Sequence, residues 1–412
     1  MSVRPTADAE RLEREIEAIM RARTGRESMV VPSGRFALLM ALCAWLGTET
    51  GVLMSPLTDD VIFFIVLAAG LRPVMAPLSP RDGNIDVAAV PPATWASVGA
   101  VVTTNLFGLP DRLVELRAIC SSRGIPLIED AAHAIESEVG GRPVGTFGEA
   151  SAFSLAKHAG ARAGGVLTFT DASRRPELER LRDQLLVIRS SSRRLADVAK
   201  PQAKRALTAT GLEWPVRRAR TSLGLLERSG QGYRMALRPE LLREAIAAGR
   251  GHFDLFEPWT RLDRADHRMR LTVPQLRDAL GRLLALPAHR ARRLAGVEAL
   301  AELPSVAPGV LDLGRATPLY RVPLLVEGRD RLVNELFRRN LGVYYTYDPP
   351  LDDYAGPEFA TPSPDTRAAR WFGRSMLPID PLDATRLLRE LPSLPERLRP
   401  AVFQLGAGGS AA

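Results

Sequence analysis

The chain is short of lysine. Of its 55 lysines and arginines, only Lys157, Lys200 and Lys204 are lysine. Arginine serves wherever a permanent cation on a long stem is enough, but it does not give up its proton and attack a carbonyl. A retained lysine is therefore a candidate for Schiff-base chemistry. Cysteine is nearly absent. Cys43 and Cys120 sit in the apolar helical patterns ALLMALCAWLG and RLVELRAICSSRG and read as small buried hydrophobes, so neither a disulfide framework nor a metal site is expected. Aromatics make up only 6% of the residues, and the arginines are scattered over amphipathic segments with no compact basic run, which argues against nucleic acid as a partner. Long apolar runs are missing too: Val61 to Ala69 is far too short to span a bilayer. The N-terminus, MSVRPTADAERLEREIEAIMRAR, is charged and helix-like rather than a secretory signal. A cytoplasmic protein without a membrane partner is the expectation. At 412 residues and 46% hydrophobic, the chain can bury a large core. Its net charge of +8 permits anionic partners without choosing among them.

Between residues 28 and 173 the chain alternates apolar runs with helical patterns. The runs are GVLM (51–54), PVMAPL (73–78), SVGAVVTTNLF (97–107), IPLIEDAA (125–132), SAFSL (151–155) and GGVLTFT (164–170). Strands buried on both faces read as continuous apolar runs, and alternation with helices implies parallel pairing through crossovers, so an α/β layer with a mostly parallel sheet is expected. Residues 1–27 read as an N-terminal helix and 174–262 as an arginine-rich helical insertion. Residues 263–300 read as one long helix linking the domains, and 301–400 as a small α+β C-terminal domain in which YRVPLLV (320–326), a helix over 329–340 and GVYYTY (342–347) form a βαβ-like unit. Residues 401–412 are a flexible tail. Trp214 and Trp259 read as the small core of the insertion itself.

Lys157 lies in SAFSLAKHAGARAGG, just past one apolar run. Upstream, LIEDAAHA puts Asp130 at the carboxyl end of another, where open α/β sheets place groups that touch ligands. An aspartate there can bond a protonated pyridine nitrogen, which a pyridoxal phosphate enzyme needs. Capping the following turn is the plainer role for it. VPSGRFAL places Ser33 and Gly34 at the start of a helix, a setting for an anion such as a cofactor phosphate, or equally for an ordinary N-cap.

Taken in order, SGRFALLMAL, LAAGLRPVMAPLSPRDGNID, NLFGLPDRLVELRAICSSRGIPLIEDAAHA, GGRPVGTFGEASAFSLAKHAGARAGGVLTFTD, DHRMRLTVPQLRDAL, YRVPLLV, LGVYYTYDPPL and SMLPIDP resemble the DegT/StrS-type sugar aminotransferases. The resemblance covers roughly residues 28–172 and 263–395. It implies a fold type I pyridoxal phosphate-dependent transferase, with residues 28–173 as the cofactor-binding domain. It also implies ping-pong transfer of an amino group from a donor such as glutamate or glutamine to a keto-sugar, often nucleotide-linked, in sugar or natural-product biosynthesis by a homodimer. By that resemblance Lys157 would carry pyridoxal 5′-phosphate as a Schiff base, Asp130 would hold its pyridinium, and His133 would contact its phenolic oxygen. Ser154 and the Ser33-Gly34-Arg35-Phe36 helix start would take its phosphate. The chain departs from the family at four places. Arg35 replaces a threonine, Asp59 stands where an aromatic ring covers the cofactor, Arg162-Ala-Gly-Gly165 replaces Gly-Glu-Gly-Gly, and Asp266 replaces an asparagine. The alternatives are a different carbanion chemistry on the same cofactor, such as dehydration, or a catalytically lost relative that serves as a partner protein.

Overall fold

The computed structural model describes residues 6–187, 235–263, 267–314, 316–339, 341, 343, 347–394 and 398–404. Helix α1 (Ala7–Thr24) is capped by the Thr6 side chain at one end and by Gly25 at φ 65° at the other. Its apolar stripe, Leu12, Ile16 and Met20, is fully buried.

A seven-stranded sheet has the order β1-β9-β8-β5-β4-β2-β3, built from β1 (Glu27–Val31), β2 (Gly51–Met54), β3 (Arg72–Met75), β4 (Ala100–Thr103), β5 (Leu127–Asp130), β8 (Ala150–Ser154) and β9 (Gly165–Phe169). A two-strand hairpin, β6 (Glu138–Val139) and β7 (Arg142–Pro143), lies apart from it. Strands β2, β3, β4, β5 and β8 pair in parallel, whereas β9 runs antiparallel to both β8 and β1. The six apolar runs of the sequence thus hold six of the seven strands, and β1 is added from ESMVV.

Alternation along each strand divides the side chains between two cores. Leu53, Val101, Leu127, Phe153 and Val166 pack on the α1 face, while Val52, Val102, Ile128, Ala152 and Leu167 pack on the face covered by α2 (Gly34–Trp45) and α3 (Asp60–Ala68). Glycine lets α2 approach the sheet. A Cβ on Gly34 would stand 2.9 Å from Ser154 Cβ and 3.2 Å from Ser154 Cα, so the start of α2 and the end of β8 are in direct contact.

Two expectations change, for the helix over 263–300 and for Trp259. The helix expected over 263–300 is two helices, Val273–Leu284 and Leu286–Ala301, because Pro287 has no N–H to carry the hydrogen-bond ladder across the junction. The strand Val322–Leu325, β10, pairs antiparallel with β11 (Met376–Ile379), so the described C-terminal sheet joins YRVPLLV to SMLPI, while residues 342 and 344–346 of GVYYTY lie outside the described set. Trp259 is fully buried against α3, its ring stacked on Phe64 at 5.4 Å, and so belongs to the main core instead of a separate one. Trp214 and Asp266 lie outside the described residues. No described helix is long and apolar enough to cross a membrane.

Candidate active site

The carboxyl ends of four parallel strands meet at one cavity. Thr58 follows β2, Thr104 follows β4, Asp130 ends β5 and Ser154 ends β8, and all four line it. Chain order also reverses here, since β3 lies on one side of β2 and β4 on the other, and open α/β sheets bind ligands at such a switch point. Lys157 enters from the turn after β8, and Ser33, Gly34 and Arg35 from the start of α2. His133 and Asp59 complete the set expected from the sequence. Phe36 does not join it: its ring is buried in the core behind α2, and its N–H donates to Ser33 Oγ at 3.1 Å.

Glu129 and Asp130 show how a strand sorts adjacent carboxylates. Glu129 turns to the face opposite the cavity and is satisfied there. Its Oε1 accepts from the N–H groups of Phe147 (2.7 Å) and Gly148 (2.6 Å), and its Oε2 from that of Gly145 (2.7 Å). Asp130 faces the cavity, with Oδ1 accepting from the Ala132 N–H at 3.0 Å. It therefore does cap its turn as well. Burial pushes the Asp130 carboxyl up to about 6, against the pull of the Ala132 N–H and Lys157.

The other ionisable groups shift in ways that follow from a dry, cationic pocket. Burial and the nearby Lys157 charge hold His133 well below its usual range, as a neutral imidazole. Its ring lies flat on Tyr320 at 4.7 Å. For Asp59, burial opposes ionisation, but Arg35 and Lys157 outweigh it and draw the carboxyl down to about 2. Asp59 also caps α3, accepting from the Val61 N–H at 3.2 Å. It offers no ring to a ligand. Aromatic surface in the cavity comes from Tyr347, stacked on Phe107 at 5.8 Å.

Ser33 fills the N-cap of α2 and also donates to the His267 carbonyl at 2.9 Å. That bond brings in His267, which lines the cavity and which burial and Arg35 drive down to about 3. Sequence reasoning missed His267 and Tyr347. Both belong to quoted segments, DHRM and LGVYYTYDPPL, but nothing local marks either as facing a site more than a hundred residues upstream.

Taken together, the cavity holds the amine of Lys157, the carboxylates of Asp130 and Asp59, the imidazoles of His133 and His267, several hydroxyls including those of Ser33 and Ser154, and Arg35 and Arg162. Pyridoxal phosphate demands an amine for its aldehyde, a carboxylate for its ring nitrogen and cationic or hydroxyl donors for its phosphate. The residues present fit those demands.

Sheet order and cavity position define a fold type I α/β architecture of the kind pyridoxal phosphate-dependent transferases use. Residues 6–198 match the DegT/DnrJ/EryC1/StrS aminotransferase family. A relative from Acidithiobacillus ferrooxidans, UDP-N-acetyl-3-dehydro-alpha-D-glucosamine 3-aminotransferase, is 31% identical over 155 residues, 37% of this chain and 42% of that one. The match thus spans less than half of that curated relative's length. Among solved structures, Helicobacter pylori PseC, an aminotransferase involved in pseudaminic acid biosynthesis, superposes with a TM-score of 0.60 at 15% identity over 95% of this chain and 98% of its own. The E. coli GDP-4-keto-6-deoxy-D-mannose-3-dehydratase with bound hydrated PLP does so with a TM-score of 0.59 at 16% identity, over 92% and 91%. Both likenesses extend the shared fold across nearly the whole chain.

Proposed function

We propose that the protein is a pyridoxal 5′-phosphate-dependent aminotransferase that passes an amino group from glutamate or glutamine to a keto-sugar, nucleotide-linked, in sugar or natural-product biosynthesis. One observation carries the reading: Lys157 and Asp130 line the same cavity at the carboxyl ends of parallel strands, beside the start of α2. The family match over residues 6–198 supports it.

When bound, pyridoxal phosphate supplies an electron sink that stabilises a carbanion at the amino-bearing carbon. The chain's own residues divide the remaining work. Lys157 would hold the cofactor through its amine, and the same amine would serve as the acid and base that moves a proton at the substrate Cα. Asp130 gives the ring nitrogen a buried anion, and that contact favours the ionised carboxylate which burial alone disfavours. His133, kept neutral and held flat against Tyr320, meets the ring's phenolic oxygen. Ser33, Gly34, Arg35 and Ser154 receive the phosphate, with Arg35 adding a charge-assisted contact. Asp59 balances the charge of Arg35 and Lys157 in place of a stacking ring. The same proposal takes residues 28–173 as the cofactor-binding body, 301–400 as a smaller unit, and a cytoplasmic homodimer as the working species.

The test combines colour and mass. Loaded protein should absorb visible light, and borohydride should fix the cofactor to Lys157, as mapped by peptide mass spectrometry. Glutamate should bleach the band and release 2-oxoglutarate, while Lys157→Ala should abolish both the fixed adduct and the release. If borohydride fixes the cofactor but glutamate fails to bleach the visible band of unreduced protein, glutamate transamination is excluded, and no adduct at all would sink the cofactor assignment.

A further inference from the structure

His158, the residue after Lys157, is fully buried. Its Nε2 lies 3.0 Å from Glu136 Oε2, and its Nδ1 lies 3.4 Å from the carbonyl oxygen of His133. Both partners sit on the loop that follows β5, the loop that begins at Asp130 and carries His133. One imidazole therefore joins the two pieces of chain that face each other across the cavity. The Lys157 turn lies between β8 and β9, outside the sheet ladder, so its position depends on ties of this kind.

The far end of the tie is itself anchored. Arg290 Nη1 stands 3.6 Å from Glu136 Oε1, and Arg23 Nη1 donates to the Ile135 carbonyl at 2.8 Å. Burial acts to raise the Glu136 carboxyl, but the His158 hydrogen bond, with Arg23 and Arg290 near, holds it below its usual range. The paired carboxylate thus stays ionised in a dry setting, where such a bond is strong and geometrically exacting.

We propose that His158 and Glu136 are positioning residues for Lys157: their buried pair fixes the turn after β8 against the Asp130–His133 loop and so sets how the amine meets the groups across the cavity. The proposal rests on Lys157 being the cofactor lysine. Neither residue touches the cavity, so the pair acts through Lys157 rather than on a ligand.

Cofactor-free protein is titrated with pyridoxal phosphate, following the visible band and the borohydride-fixed adduct at Lys157. Amide hydrogen exchange over residues 155–161 is measured in parallel. His158→Leu should weaken cofactor binding about tenfold, shift the band maximum and speed exchange in the turn. His158→Gln keeps an amide that can donate to Glu136 and should recover most of the binding. Glu136→Gln, closer in shape, carries the same test if His158→Leu fails to fold. A purely structural pair would lower the melting temperature and leave the dissociation constant, the band and the turn's exchange unchanged, and that result overturns the proposal. If wild-type protein fixes no cofactor, the assignment of Lys157 fails instead, while the exchange data still report whether the pair holds the turn.

Discussion

Asp130 is held in a state that its own burial opposes. A carboxyl whose folded-state pKa is about 6 against an ordinary 3.8 binds more protons folded than unfolded between those values, so stability falls as pH climbs through that window. Asp130→Asn removes the ionisation and keeps the shape. In cofactor-free protein it should stabilise the fold by about 2–3 kcal/mol at pH 8, with the gain fading below pH 4, as urea unfolding at the two pH values will show. The same change should abolish transamination, since a neutral amide cannot hold a pyridinium. A buried carboxyl that costs stability and faces the cavity of Lys157 is what a site built for a cationic partner looks like. Lys157 and Asp130 were legible because their chemistry is rare in their local setting. His267 and Tyr347 were not, because only tertiary contact brings them to the cavity.

Strand placement was legible where both faces are buried, since six apolar runs hold six strands. Direction was harder to read. Only residues 155–164 join β8 to β9, with no helix among them, and a parallel crossover needs a dozen or more residues, usually with a helix. The connection had to return antiparallel, a constraint visible in loop length rather than in apolar pattern. β1 escaped notice because ESMVV is short and directly follows a helical pattern. The break at Ala285 was marked by Pro287 in LALPAHR, which the helical periodicity on either side obscured. The contact between α2 and β8 yields a test at this scale. Gly34→Ala drives a methyl into the Ser154 backbone and Cβ, which a rigid strand end cannot yield cheaply. It should lower stability by about 1–3 kcal/mol in urea unfolding, and it should weaken cofactor binding because Ser33 and Ser154 move apart.

Across the whole molecule, the C-terminal segments reach back to the loops that follow β4 and β5. The N–H groups of Tyr320 and Arg321 donate to the Phe107 carbonyl at 3.0 and 3.2 Å, and Tyr320 supports the His133 ring. Asp380 secures this strap. It lies 3.4 Å from Arg293, on the helix Leu286–Ala301, and 3.0 Å from Arg321. Asp380→Asn leaves two largely buried guanidiniums without their carboxylate, so a loss of about 3–5 kcal/mol is expected, read as a lowered urea midpoint. The long-range pairing of Glu27 with Phe169 also sets a timetable for synthesis. A ribosome that has already delivered β1 must translate through residue 169 before that strand's neighbour exists. The nascent N-terminal edge therefore waits with its backbone unpaired, which makes it the surface a chaperone would meet first.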